Sequence, residues 1–305
     1  MHAPHRQDLE IIVADRDGDL AAVQGRRWDV AVDVAGYLPR TVATSTRVLR
    51  HAVERYVFVS TLNVYAELRK GVSDASTLVE IDEATVARFE SMSTEEARAA
   101  PGFFDAYGGL KARCESIVGE AFGDRALLVR PGLIVGPHDT TDRFTYWPWR
   151  LARGGEVLAP EGPERPTRFV DVRDLTEWMV QAIATSAIGA FDVMGATELT
   201  LGDVLETCRA AAASDATLTW VDEAFLLDNK VEPWTELPLW LPRAWSTAFR
   251  GSDERARVRG LSFRPLSKTV RDVLDWDRGR TAAPRKNGLD PKREADLLAA
   301  FHRAR

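Results

Sequence analysis

Tyr107 and Lys111 stand four positions apart in this 305-residue chain. On a helix, positions i and i+4 share one face, so a phenol and an ammonium can address one ligand. A neighbouring ammonium favours the phenolate and brings its pKa down towards neutrality. Tyr107 is thereby a candidate general acid/base for a carbonyl–alcohol conversion. The plainer reading is a solvent-facing pair on an amphipathic helix. Ser60 and Thr61 close the apolar run Tyr56–Ser60. Hydroxyls at the carboxyl end of a parallel strand sit where open α/β sheets bind ligands, although such residues also simply end strands. Ala126–Arg130 runs into Pro131-Gly132-Leu133-Ile134-Val135-Gly136-Pro137, a second turn of the same kind. The Tyr/Lys helix falls between these two turns.

The elements that must position these residues follow from patterning. Leu9–Asp15, Trp28–Val34, Tyr56–Ser60 and Ala126–Arg130 are short and rich in β-branched residues. They read as buried strands. Thr41–Val53 and Ala106–Ala121 have helical spacing. The alternation predicts βαβ units around a parallel sheet covered on both faces. Further on, 144–152 and 173–185 read as helices. Thr200 with Asp203 marks a helix start running to Ala212. Thr217–Val221 reads as a strand, and Val270–Leu274 and Pro291–Phe301 as parts of late helices. The Trp-rich residues (Tyr146, Trp147, Trp149, Trp234, Trp240, Trp245) read as core, with a substrate pocket as the rival reading.

Composition narrows the function classes. Apolar residues make up 45% and charged residues 28%, enough for a buried core and too apolar for a disordered chain. The net charge of −6 argues against nucleic acid as a partner. No apolar run approaches the about eighteen residues of a membrane span. Five scattered His and two distant Cys, Cys114 and Cys208, offer no metal-ligand spacing. The expectation is a soluble, cytoplasmic protein with no metal, no nucleic-acid partner and no membrane partner.

Thr61…Tyr107-x-x-x-Lys111, the VSTLNVY strand end, the RPGLIVGP turn and Arg168-Phe169-Val170-Asp171-Val172-Arg173-Asp174-Leu175 together resemble the extended short-chain dehydrogenase/reductases. These are the NAD(P)-dependent epimerase/dehydratase group, and the resemblance covers about residues 9–280. It implies an α/β fold: a Rossmann-like, doubly wound parallel sheet, N-terminally truncated, with a small C-terminal substrate lobe. It implies Tyr107 as acid/base, Lys111 as holder of the nicotinamide ribose, and Thr61 as the hydroxyl on the substrate oxygen. Asp15 and Arg16 would touch adenine. Ala35, Gly36 and Tyr37 would pass the pyrophosphate and ribose, with Ser60 beside the cofactor. Pro131, Gly132, Leu133 and Ile134 would flank the nicotinamide amide. The implied cofactor is NAD or NADP, and the implied partner a small-molecule substrate. The residues leave oligomeric state open; the resemblance implies a homodimer paired through helices 41–53 and 106–121.

Two departures from the family pattern matter. The family opens with a strand and a G-x-x-G-x-x-G turn whose amides meet the pyrophosphate at a helix N-terminus. Here the first forty residues hold only Gly18, Gly25 and Gly36. The family's third strand falls on Leu9–Asp15, so its first two strands and one helix are expected to be missing, about forty to fifty residues. A start set downstream of the true one is favoured over a fragment or a natural truncation. In the last case Leu9–Asp15 would re-pair with Trp28–Val34, or a partner chain would fill the gap. Without those strands Trp28–Val34 becomes an unprotected apolar edge, and NAD(P) affinity should be severely weakened. The second departure is at Thr167, where nucleotide-sugar epimerases carry an Arg for the substrate diphosphate; Arg168 is one step off.

The leading expectation is an NAD(P)-dependent epimerase/dehydratase- or reductase-type oxidoreductase acting on a sugar derivative or another small hydroxylated metabolite. Its rival is a non-catalytic or cofactor-independent metabolite-binding protein on the same scaffold. Residues 1–137 with 166–197 would form the nucleotide-binding domain, 138–165 with 198–280 the substrate lobe, and 281–305 a linker and helix.

Overall fold

A computed structural model describes residues 9–18, 20–73, 76–280 and 284–305. Its strands are β1 (Trp28–Asp33), β2 (Val53–Val59), β3 (Ala126–Pro131), β4 (Ile134–Val135), β5 (Glu156–Pro160), β6 (Val170–Asp171), β7 (Gly189–Val193) and β8 (Thr217–Val221). The helices of the first half are α1 (Pro39–Leu49), α2 (Glu83–Glu90), α3 (Thr94–Ala99) and α4 (Phe103–Phe122). Those of the second half are α5 (Tyr146–Ala152), α6 (Val172–Ala184), α7 (Leu201–Ala211), α8 (Glu223–Asp228), α9 (Glu254–Arg257), α10 (Leu266–Arg278) and α11 (Pro291–Ala304). The chain forms two compact units: 1–66 with 76–130 and 187–191, and 67–75 with 131–186 and 192–305.

The first unit is built on the central sheet, whose order is β1-β2-β3-β7. β1 pairs with β2 in parallel, Trp28 opposite Val53 and Asp33 opposite Phe58. β2 pairs with β3 in parallel, Tyr56 opposite Ala126 and Val59 opposite Val129. Parallel neighbours need a crossover, and α1 and α4 supply those between β1, β2 and β3. Their apolar residues Val42, Cys114, Val118 and Phe122 form one core with Val53, Tyr56 and Phe58 of the sheet. This is the parallel α/β sheet that the patterning predicts and the Rossmann-like class that the resemblance implies.

One predicted element is absent. Leu9–Asp15 was expected as a buried strand, but 9–15 forms no strand. Leu9, Ile11 and Val13 are 63%, 81% and 91% exposed. The strand composition is there, yet no ladder receives it, and a strand without a hydrogen-bonded neighbour has no reason to persist. Side chains tether the segment instead: Glu10 to Arg26, and Arg16 to Asp33. The expected helix 41–53 ends at Leu49, because Val53 is already needed opposite Trp28.

The second unit has its own core, with Phe144, Trp147, Val157, Leu205, Trp240 and Val273 all essentially inaccessible to solvent. β4 pairs with β6 and β5 with β8, each in parallel. α7 starts at a capping box in which Thr200 and Asp203 exchange hydrogen bonds, as their spacing predicts. Tyr146, Trp147 and Trp240 are core residues, and the Trp147 indole donates to the Pro238 carbonyl at 2.6 Å.

Candidate functional site

The site residues of the first unit gather where β1 and β2 end. β2 carries its ladder one residue beyond its last strand position, with the Ser60 amide donating to the Val129 carbonyl at 2.7 Å. Thr61 then turns the chain into a single 3-10 turn, Leu62–Val64. Its hydroxyl caps that turn by accepting from the Asn63 amide at 3.2 Å. The Ser60 hydroxyl is buried and has no hydrogen-bond partner among the described residues. An unsatisfied buried hydroxyl costs about 1–3 kcal/mol and marks a place where a ligand can make the bond.

α4 reaches this turn because of one glycine. A Cβ on Gly108 would lie against the Asn63 carbonyl oxygen, nearer than the 3.0 Å that real Cβ atoms keep. Glycine therefore lets the helix lie directly on the 62–64 turn. It fixes the neighbouring Tyr107, half-buried, at this end of the sheet. The Tyr107 ring lies 6.5 Å from that of Tyr37 and 6.1 Å from that of Phe103.

Lys111, one turn further along α4, is 3% exposed. Its Nζ donates to the Gly36 carbonyl at 2.7 Å and to the Val59 carbonyl at 2.8 Å, clamping the ends of β1 and β2 together. It also lies 4.0 Å from the Phe58 ring centroid, over the face, and 6.0 Å from that of Tyr37. Burial disfavours the charged form and pushes the ammonium pKa down to about 8. Two of its three hydrogens are committed to these carbonyls, and the third has no hydrogen-bond acceptor among the described residues.

The end of β1 is closed by a second network. The Asp33 carboxylate receives Arg16 bidentately at 2.6 and 2.7 Å, the Tyr56 hydroxyl at 2.9 Å and the Ala35 amide at 3.0 Å. Arg16 also donates to the Ser45 hydroxyl at 3.0 Å. Burial raises the Asp33 pKa, but these donors outweigh it and hold the carboxyl below its ordinary range. Burial, with the adjacent carboxylate, pushes the Tyr56 phenol up. Asp15 closes a local turn, accepting from the Asp17 amide at 2.9 Å. Gly36 is pressed against Phe58, where a Cβ would approach to 2.5 Å.

The structure thus brings together Ser60, Thr61, Tyr107, Lys111, Gly36 and Tyr37. It gives Arg16 a protein partner. Pro131, Gly132, Leu133 and Ile134 belong to the other compact unit, where the Gly132 amide donates to the Val193 carbonyl and Ile134 pairs with Val170. Arg168, one step off the family's diphosphate position, is spent on the Asp253 carboxylate and the Gly195 and Gly251 carbonyls. Sequence reasoning passed over Gly108, Asp33 and the pair Arg130–Glu115. Glu115 lies one further turn from Lys111 and receives Arg130 at 2.6–3.2 Å, and Arg130 also donates to the Tyr65 hydroxyl at 2.8 Å. The continued i+4 spacing was the available signal.

A dinucleotide must be held at two ends. For a nicotinamide ribose, the free Lys111 hydrogen and the unpartnered Ser60 hydroxyl are fitting groups. For a pyrophosphate, exposed amides at a helix N-terminus are needed. At the start of α1 the Arg40 amide instead donates to the Glu90 carboxylate at 2.7 Å and is not open to a phosphate. The described residues of this unit do not fit the phosphate end.

No family model matches the chain, and no curated protein matches it. Solved structures do share its fold. UDP-glucuronic acid 4-epimerase from Bacillus cereus, in complex with NAD, is similar over 78% of this chain and 66% of its own length, with 14% identity and TM-score 0.52. This chain therefore spans just under two thirds of that epimerase. RMD from Pseudomonas aeruginosa, complexed with NADPH, matches over 91% and 89%, with 16% identity and TM-score 0.57. UDP-N-acetylglucosamine 4-epimerase from Bacillus cereus matches over 84% and 79%, with 12% identity and TM-score 0.55.

Proposed function

We propose that this chain serves epimerase/dehydratase-type oxidoreductase chemistry on a sugar derivative or another small hydroxylated metabolite, with Tyr107 as the proton-transfer residue. The observation that carries the reading is the buried Lys111 ammonium, held by the Gly36 and Val59 carbonyls one helical turn from Tyr107. A cation fixed in a dry setting acts strongly on groups near it. In this reading Tyr107 exchanges a proton with a substrate hydroxyl, Lys111 supplies fixed positive charge, and Thr61 and Ser60 orient the substrate oxygen. The similarity of fold to sugar-nucleotide epimerases supports the substrate class.

NAD or NADP is the cofactor this chemistry calls for, and the ribose-facing residues suit it. The phosphate end does not. Titration of the chain with NAD(H) and NADP(H) by calorimetry should give weak binding; a submicromolar dissociation constant would mean that the phosphate end is held after all. The catalytic reading is tested by following sugar and nucleotide-sugar conversion by NMR in the presence of either cofactor. Tyr107→Phe should lose at least about 100-fold in turnover; unchanged turnover removes the proposal.

The second reading, a metabolite-binding protein without turnover, is favoured by the poor fit of the described residues to a dinucleotide phosphate, the Arg40 amide at the start of α1 being bonded to Glu90. In that case Tyr107→Phe would alter ligand affinity, and the unsubstituted chain would convert none of the panel.

A further inference from the structure

The connection from β2 to α4 runs through residues 60–102, where about 2–6 residues ordinarily join a strand to its helix. Much of the excess is folded into α2 and α3, which pack back onto the site residues of the same compact unit. Val86, Phe89 and Ala97 of these helices form one buried cluster with Leu38, Phe103 and Leu110, and Tyr37 and Tyr107 pack against it. Ile81, just ahead of α2, lies so near α4 that a Cβ on Gly109 would come within 2.7 Å of the Ile81 Cβ. The start of α1 holds the pair from another side: the Arg40 guanidinium donates to the Met92 carbonyl at 2.7 Å. Long connections of this kind are commonly functional.

What this pair of helices brings to the site is Arg98 of α3. Its guanidinium carbon lies 4.3 Å from the Tyr37 ring centroid, over the face, and the Tyr37 ring lies 6.5 Å from that of Tyr107. The neighbouring arginines are spent: Arg40 is paired with Asp17, and Arg88 donates to the Pro101 carbonyl. Arg98 is exposed, and no carboxylate or carbonyl among the described residues accepts from it, Glu95 one turn back included. A guanidinium stacked on a ring is held by its face, and its edge keeps five N–H donors for another partner. Such an edge matches two oxygens of a carboxylate or a phosphate. Lys111 adds a second positive charge, 6.0 Å from the same Tyr37 ring.

We propose that the substrate of the Tyr107–Lys111 site carries an anionic group, a carboxylate or a phosphate, and that Arg98, stacked on Tyr37, holds it. The inference rests on the reading of Tyr107 and Lys111 as the reacting centre. The two ring distances put the guanidinium within the span of one sugar acid or sugar phosphate from Tyr107. One end of such a molecule is then fixed by Arg98 while a hydroxyl at the other meets the phenol. The long connection between β2 and α4 is thereby a specificity element.

The test is calorimetric titration of the full chain with glucose, glucuronate and glucose 6-phosphate. At least one of the two acids should bind about tenfold or more tighter than glucose, and which one does so identifies the anionic group. Arg98→Met should weaken that acid by about 10- to 100-fold, leave glucose unchanged and leave the circular dichroism spectrum unchanged, since Arg98 is exposed. Arg98→Lys, which keeps the charge without the planar fork, should fall between the two. Tyr107→Phe should keep the preference for the acid. The proposal is overturned if neither acid binds more tightly than glucose, or if the preference survives Arg98→Met. An Arg98-dependent preference in a chain that converts none of the three by NMR supports the anion site and removes the catalytic reading. Tyr107-dependent turnover without that preference does the reverse.

Discussion

The close seating of α4 on the 62–64 turn can be tested with a pair of identical substitutions on one helix. Gly108 and Gly119 both lie within α4. An added Cβ at Gly119 meets nothing within 4 Å, whereas at Gly108 it overlaps the Asn63 carbonyl oxygen. Gly→Ala in a helix is worth up to about 1 kcal/mol of stabilisation through backbone entropy. Gly119→Ala should show that gain. In Gly108→Ala the same gain is opposed by overpacking against a backbone atom, which costs about 1–3 kcal/mol. The two variants should therefore differ by about 1–3 kcal/mol, Gly108→Ala being the less stable, in urea denaturation monitored by circular dichroism. Relief of the overlap moves α4 by about 1 Å, and displacements of that size at a reacting group can cost about 100-fold in rate. Gly108→Ala should thus lower turnover while leaving the Tyr107 and Lys111 side chains in place. If Gly108→Ala is as stable as Gly119→Ala, the described contact between helix and turn is wrong, and so is the placement of Tyr107 that depends on it.

Other outcomes follow from buried charge. Lys111 ionises near 8 in the folded chain and near its ordinary 10.5 when unfolded, so between these values only the unfolded chain keeps the proton. Lys111 therefore contributes stability that rises with pH across that window, by up to about 3 kcal/mol. Cys114, which burial pushes up to about 12, contributes in the opposite sense from its ordinary 9.0 upward. The readout is the difference in pH slope between the wild type and Lys111→Met; identical slopes would refute the assignment. For Arg168 and Asp253, burial moves the guanidinium down and the carboxyl up, each away from its charged form. Arg168→Met or Asp253→Leu alone should destabilise by about 3–5 kcal/mol, and the double variant by clearly less than the sum. Additive losses would show that the pair is not coupled.

The candidate site residues were legible because their signals are local. The i, i+4 spacing of Tyr107 and Lys111 depends only on helix geometry. The hydroxyls of Ser60 and Thr61 follow a β-branched run long enough to be a strand. Gly108 and Gly109 read merely as small residues in the same helix, since only the folded chain shows what presses on them. Leu9–Asp15 shows the opposite failure. Its composition is that of a strand, but strand formation depends on a neighbour, and the neighbour is a property of the fold.

Short-range periodicity carries the α/β alternation, the order of the rim elements and the helical pairing of phenol and ammonium. Tertiary structure alone decided what each charge does. Arg16 turned out to satisfy Asp33, Arg168 to satisfy Asp253, and Lys111 to hang from two carbonyls of different strands. Those partners lie 17, 85, 75 and 52 positions away in the chain. A side chain's electrostatic role is set by distance in space and by burial, and neither is written in the spacing of residues along the chain.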